Sequence, residues 1–126
     1  MNPEYICMTK FAVAVAFVLS IPLAATNCEE LSVEYYGYAA AYGYPLRLRD
    51  KMTKEEAESR DAAYLIGYFD DNRKLTRVVK MIHGKRDFEH VYTYYPNGHL
   101  KRMEWINNKG ASTVSEFDES GNLKKK

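Results

Sequence analysis

The chain has 126 residues, 18 basic against 17 acidic, a net charge of +1, and eleven tyrosines. Charge so evenly balanced provides no concentrated basic face for phosphate, so nucleic acid is not an expected partner. Two cysteines, Cys7 and Cys28, cannot build a disulfide framework, and the length allows one ordinary domain around one core.

Residues 1–27 read as a cleaved signal segment. Lys10 supplies a basic start, Phe11 to Leu23 an apolar run, and Ala24 and Ala25 the small residues that precede a cut. Met8 is an alternative start, giving the short lead-in Met8-Thr9-Lys10. The run is shorter than the about 20 apolar residues of a spanning helix, and Pro22 interrupts its end. An uncleaved membrane anchor is the competing reading. Leu23-Ala24-Ala25-Thr26-Asn27-Cys28 resembles the end of a bacterial lipoprotein signal, which implies lipid attachment at Cys28 once the segment is removed. Asn27 stands where that family favours Gly, Ala or Ser. Ordinary cleavage near Ala25 would instead leave Cys28 as a free thiol. Removing residues 1–27 takes away one base, Lys10, and one acid, Glu4, so the net charge stays at +1.

Residues 28–50 form a Tyr/Gly-rich segment that belongs to one domain with residues 51–126. Five tyrosines, Tyr35, Tyr36, Tyr38, Tyr42 and Tyr44, lie within ten positions, and aromatic side chains suit pleated, half-buried surfaces. The segment ends at Pro45-Leu46-Arg47, which reads as extended chain or loop because proline cannot continue a helix. Thr53-Lys54-Glu55-Glu56 is a capping box. It predicts a helix from Thr53 that ends between Arg60 and Ala63.

Strand signals begin at Tyr64. Phe88, His90, Tyr92 and Tyr94 alternate with Glu89, Val91, Thr93 and Tyr95, the period of two that a sheet requires, and Met103 and Trp105 alternate likewise with Glu104 and Ile106. Turn signals separate the runs at Asp70-Asp71-Asn72, His83-Gly84-Lys85, Pro96-Asn97-Gly98, Asn107-Asn108-Lys109-Gly110 and Glu119-Ser120-Gly121. Asn97-Gly98 suits a two-residue hairpin turn with positive φ. The expected fold is α+β: an antiparallel meander of about six strands with one short helix on or beside a face.

A weak repeat underlies the meander. Phe69, Tyr94 and Phe117 each precede a leucine by six residues, at Leu75, Leu100 and Leu123, and a base follows at Arg77, Arg102 and Lys125. Gly98 and Gly121 stand two residues before the second and third leucines, where the first copy has Arg73. The pattern needs no ligand: the aromatic ends a strand, the glycine turns the chain, and the leucine starts the return strand toward the core.

Tyr95-Pro96-Asn97-Gly98-His99-Leu100-Lys101-Arg102 and Phe117-Asp118-Glu119-Ser120-Gly121-Asn122-Leu123-Lys124 resemble hairpin units of MORN-variant and YD (RHS-type) repeats. A longer likeness, from Tyr35 to Leu123, runs through Arg60-Asp61, Tyr68-Phe69-Asp70-Asp71, Gly84 and Asn97-Gly98-His99-Leu100-Lys101-Arg102. There the chain resembles an uncharacterised bacterial domain family, which implies an architecture and brings no activity.

No catalytic motif is present. His83, His90 and His99 share no ligand spacing, so no metal or other cofactor is expected. Asp70-Asp71-Asn72 is followed by Arg73 and Lys74 rather than by calcium ligands. The acid pairs Glu55-Glu56 and Asp118-Glu119 fall at a helix start and a turn, and no nucleophile elbow, S-x-x-K motif or phosphate loop occurs. The residues that point to binding are Tyr35, Tyr36, Tyr38, Tyr42 and Tyr44, whose rings offer rigid contact area with a polar tip to a protein or a glycan. Covering the sheet and filling the core is their structural alternative. Lys124-Lys125-Lys126 is a solvated tail or an approach to anionic lipid. The expectation is an exported, non-catalytic binding module of the bacterial envelope, held to the membrane through Cys28, with a periplasmic or secreted soluble form as the variant. An immunity-type protein that neutralises a toxin is the second reading. A glycan-processing hydrolase is the third, and it requires His90 beside an acid in a cleft.

Overall fold

The computed structural model describes residues 32–40 and 43–125. The expectations for the signal segment, Cys28 and Tyr42 fall outside these residues. The chain forms β1 (Ser32–Ala40), β2 (Arg47–Met52), α1 (Lys54–Ser59), β3 (Tyr64–Phe69), β4 (Leu75–Ile82), β5 (Lys85–Tyr94), β6 (Leu100–Asn107) and β7 (Ser112–Glu116). All seven strands lie in one antiparallel sheet in the order β2-β1-β3-β4-β5-β6-β7.

An antiparallel sheet with one short helix is therefore the architecture, with seven strands in place of about six. After the helix the meander contributes five, plus an isolated Phe117–Leu123 bridge. The other two are built from the tyrosine segment and from Arg47–Met52. Neither shows clean alternation, because Gly37, Ala39 and Ala40 interrupt the first and Leu48 and Met52 are the only apolar residues of the second.

The capping box forms as its residue types require: Glu56 N donates to Thr53 Oγ1 at 3.1 Å and Thr53 N to Glu56 Oε2 at 2.8 Å. The helix stops at Ser59, just short of the expected span, as Arg60 turns extended. Ala57 is its buried residue, and Glu55 and Glu58 stand near Tyr35 and Tyr64 on the sheet beneath.

Four loops share one geometry. In each, an amide three residues on returns to the carbonyl of Asp70, Tyr95, Asn107 or Asp118, and the next residue closes the strand pair. The fourth position is left-handed in every copy, at Arg73 (φ 61°), Gly98 (93°), Gly110 (84°) and Gly121 (90°). Only Gly98 of the Asn97-Gly98 pair has positive φ, so that connection is a three-residue loop with a left-handed glycine instead of a two-residue turn. Arg73 takes the glycine's place in the first copy. Left-handed backbone costs a non-glycine residue about 1 kcal/mol, which its side chain offsets by stacking on Phe69, 4.7 Å from the ring centroid, and by pairing with Glu34. Phe69 faces Leu75 and Tyr94 faces Leu100 across these loops, with both leucines buried; Leu123 is exposed.

Register assigns the two faces of the sheet. Leu65, Val78, His90, Tyr92, Met103 and Trp105 share the front, and Tyr35, Tyr64, Ile66, Val79, Glu89 and Glu104 share the back. The core lies on the front, where Leu65, Leu75, Val78, Tyr92, Leu100 and Met103 form one buried cluster. A single sheet cannot cover this cluster alone. The outer part of the β1–β2 hairpin does so, bringing Ala39, Leu46 and Leu48 onto it. Asp50 (φ 64°) faces Gly37 at the bend, where a Cβ would stand 2.5 Å from the Asp50 carboxylate. Gly67 likewise leaves room for Leu48, whose Cδ1 lies 2.7 Å from where a Cβ would project.

Candidate binding groove

The hairpin crosses the front without filling it, and a groove remains on each side. The groove toward the β4–β5 hairpin has a volume of about 350 Å³, with Ala39, Leu46, Leu65, Lys80, Phe88 and His90 among its walls and Tyr38 at its mouth. The other, about 390 Å³, lies between Tyr44-Pro45 and the loops at Lys74, Gly98 and Gly121. There Lys74 Nζ already donates to Gly98 O at 3.0 Å and covers the Tyr94 ring, so its cation is committed to structure.

The first groove is ordered by a chain of hydrogen bonds. Leu46 N donates to Tyr92 Oη at 3.2 Å, and Tyr92 Oη lies 3.0 Å from His90 Nδ1. The phenol oxygen accepts from the amide, and because a phenol both donates and accepts, its contact with His90 Nδ1 is compatible with either imidazole tautomer. Burial pushes the Tyr92 phenol above its ordinary range, against the opposing effect of the Leu46 amide. Burial also holds His90 below its ordinary 6.5, so the ring is neutral at neutral pH. Among the described residues, Nδ1 is the ring nitrogen with a hydrogen-bond partner, Tyr92 Oη. The ring is enclosed by aromatics: Phe88 at 4.9 Å between centroids, Tyr44 at 5.7 Å and Tyr92 at 5.9 Å. Trp105 is its cross-strand partner on β6.

The tyrosine segment divides at the bend. Tyr35 turns to the back and packs on Tyr64 at 6.3 Å, and burial raises its phenol pKa. Tyr36 packs on Phe69 and donates to Glu34, and its phenol is pushed up to about 12 by burial. Tyr38 and Tyr44 are 58% and 51% exposed, the largest exposures among the described tyrosines; Tyr38 lines the groove with His90, and Tyr44 packs beside His90, as do Phe88 and the 39%-exposed Trp105. Sequence reasoning missed Phe88, His90 and Trp105 as neighbours of these tyrosines. Their alternation puts all three on one face, but only the folded hairpin shows that Tyr38 and Tyr44 come to the same face.

His83 and His99 lie in exposed turns, apart from His90. The acid next to His90 in sequence, Glu89, lies on the back of the sheet, where it pairs with Arg77 and with Arg86 at 2.8 Å. The histidine–acid pair that hydrolysis would require is therefore not formed between these two neighbours.

The fold and groove define a class of small antiparallel β proteins in which a bent hairpin roofs one face of its own sheet and leaves an aromatic cleft beside it. The chain belongs to a family of unknown function (DUF6156), whose model matches residues 29–126. No curated protein and no solved structure matches it.

Proposed function

We propose that the protein is a non-catalytic interaction module of the bacterial cell envelope, exported by residues 1–27 and held at the membrane through lipid on Cys28. Its binding surface is the front groove with the rings around it. One observation carries the reading: Tyr44 and Trp105 stand beside the buried His90, Tyr38 lines the same groove as His90, and all three are among the most exposed large side chains of the described residues. Scattered exposed aromatics need no explanation, but exposed rings grouped beside an apolar groove have the composition of binding hot spots.

The test is sedimentation with washed envelopes of the native host, using the full chain carrying Cys28→Ser so that lipid makes no contribution. Saturable co-sedimentation that is lost in Tyr38→Ser/Tyr44→Ser/Trp105→Ser, with an unchanged circular dichroism spectrum, is the expected result. Sedimentation that is absent, or equal in both proteins, refutes the reading.

A further inference from the structure

The proposed binding surface can be given a ligand chemistry from the polar groups that converge on it. The groove is walled mainly by Ala39, Leu46, Leu65 and Phe88, and its volume lies at the small end of the range for small-molecule sites. The groups able to hydrogen-bond inside it are mostly donors. His90 lines the groove with Nδ1 engaged by Tyr92 Oη, and in the tautomer that carries its hydrogen on Nε2 it offers a donor there. Lys80 brings an ammonium to the wall, 5.5 Å from the Phe88 ring centroid.

Basic side chains predominate around the groove, although the Asp50 carboxylate stands against Gly37 with Arg60 beside it. Arg49 is the cross-strand partner of Tyr38, and Arg47 that of Ala40; both are exposed and have no ion-pair partner among the described residues. The adjacent acid, Asp87, is held by Lys80 at 3.4 Å. A neutral ligand would leave these donors without a strong acceptor, and a cation would meet Lys80. An anion with an apolar body satisfies both the walls and the donors.

We infer that the groove binds a small apolar molecule ending in a carboxylate, its hydrocarbon body against Phe88, Leu46 and Leu65 and its carboxylate between His90 Nε2–H and the Lys80 ammonium. This rests on the groove being the binding surface proposed above. Tyr38 then borders the bound molecule, and Lys80 exchanges Asp87 for the ligand. In this complex His90 is the neutral Nε2–H tautomer, with Nδ1 accepting from Tyr92 Oη.

The experiment is an amide NMR titration of the full chain with 4-phenylbutyrate, 4-phenylbutanol and 4-phenylbutylamine in parallel. The acid is expected to shift Ala39, Leu65, Phe88 and His90, the alcohol to bind at least about tenfold more weakly, and the amine not to bind, because a charge-assisted contact is lost and then reversed. Lys80→Met should reduce the acid to the alcohol's affinity and leave the alcohol unchanged, and Lys80→Arg should restore the preference; the amide spectrum itself shows that each variant is folded. Equal binding of acid and alcohol, binding of the amine, shifts outside the groove or no shift at all overturns the inference. Envelope sedimentation of the same sample separates the two proposals. If sedimentation persists without acid binding, only the ligand class is wrong; if both fail, the groove is not the binding surface.

Discussion

Replacing Tyr92 by Phe removes one oxygen and leaves the ring, so it isolates the bond that ties the hairpin roof to the sheet. Tyr92 is 4% exposed, and its Oη accepts from the Leu46 amide and lies 3.0 Å from His90 Nδ1. Without it, a backbone N–H and a ring nitrogen are left without these partners in a mostly apolar setting. An unsatisfied buried group costs about 1–3 kcal/mol, and partial hydration of the half-buried Leu46 amide places the expected loss near 2 kcal/mol. Urea unfolding monitored by Trp105 fluorescence would measure it, beside hydrogen exchange at Leu46 and Val78. Loss of 2 kcal/mol speeds exchange through global unfolding about thirtyfold, so the Val78 amide reports that common change. The Leu46 amide should lose more, because its own bond is gone. A stability change below about 0.5 kcal/mol, with Leu46 as protected as in the parent, would refute the roof argument.

Glu34 accepts from Tyr36, Lys51 and Arg73, and these bonds hold its carboxyl down at about 2 from an ordinary 4.5, against the opposing effect of burial. A lowered carboxyl stabilises the fold fully above 4.5 and loses that contribution as pH falls toward 2. Because Lys51 and Arg73 are largely exposed, we expect Glu34→Gln to cost about 1–2 kcal/mol at pH 7 and almost nothing near pH 2, read by urea unfolding at both pH values. Gly67→Ala should destabilise by about 1–2 kcal/mol as Leu48 is displaced, and by less in a Leu48→Ala background, a coupling that a double-mutant cycle measures. The intact mass of the mature protein from host membranes should begin at Cys28 with acyl chains and lose them in Cys28→Ser; an unmodified mass beginning near Thr26 would contradict the anchor.

The parts of the fold that were legible in the sequence are those set by local chemistry. The capping box at Thr53, the strand start at Tyr64 and the alternation through β5 each need only neighbours in the chain. The repeat holds in its first two copies, where Leu75 and Leu100 are buried and Arg73 adopts the left-handed backbone of the glycines it replaces; in the third copy Leu123 is exposed and does not reach the core. What the sequence did not disclose depends on contacts between distant residues. Strand β2 is a strand because it pairs with β1, and its charged residues carry no alternation to announce it. The groove depends on the bend between Gly37 and Asp50, which sends Tyr38 and Tyr44 to the front while Tyr35 stays under the helix. The bond that ties Tyr92, the partner of His90, to the roof comes from Leu46, forty-six positions away in the chain, and no motif encodes that distance.

The proposed envelope contact is tested most directly by locating it on the protein. Transfer of saturation from detergent-solubilised native envelope to the amides of the Cys28→Ser chain would map that contact. The account predicts transfer at Tyr38, Tyr44, Phe88, His90 and Trp105, all around the front groove. Transfer confined to Ile66, Arg77 and Glu104 on the back, or to the outer strand β7, would show that the protein binds through another surface.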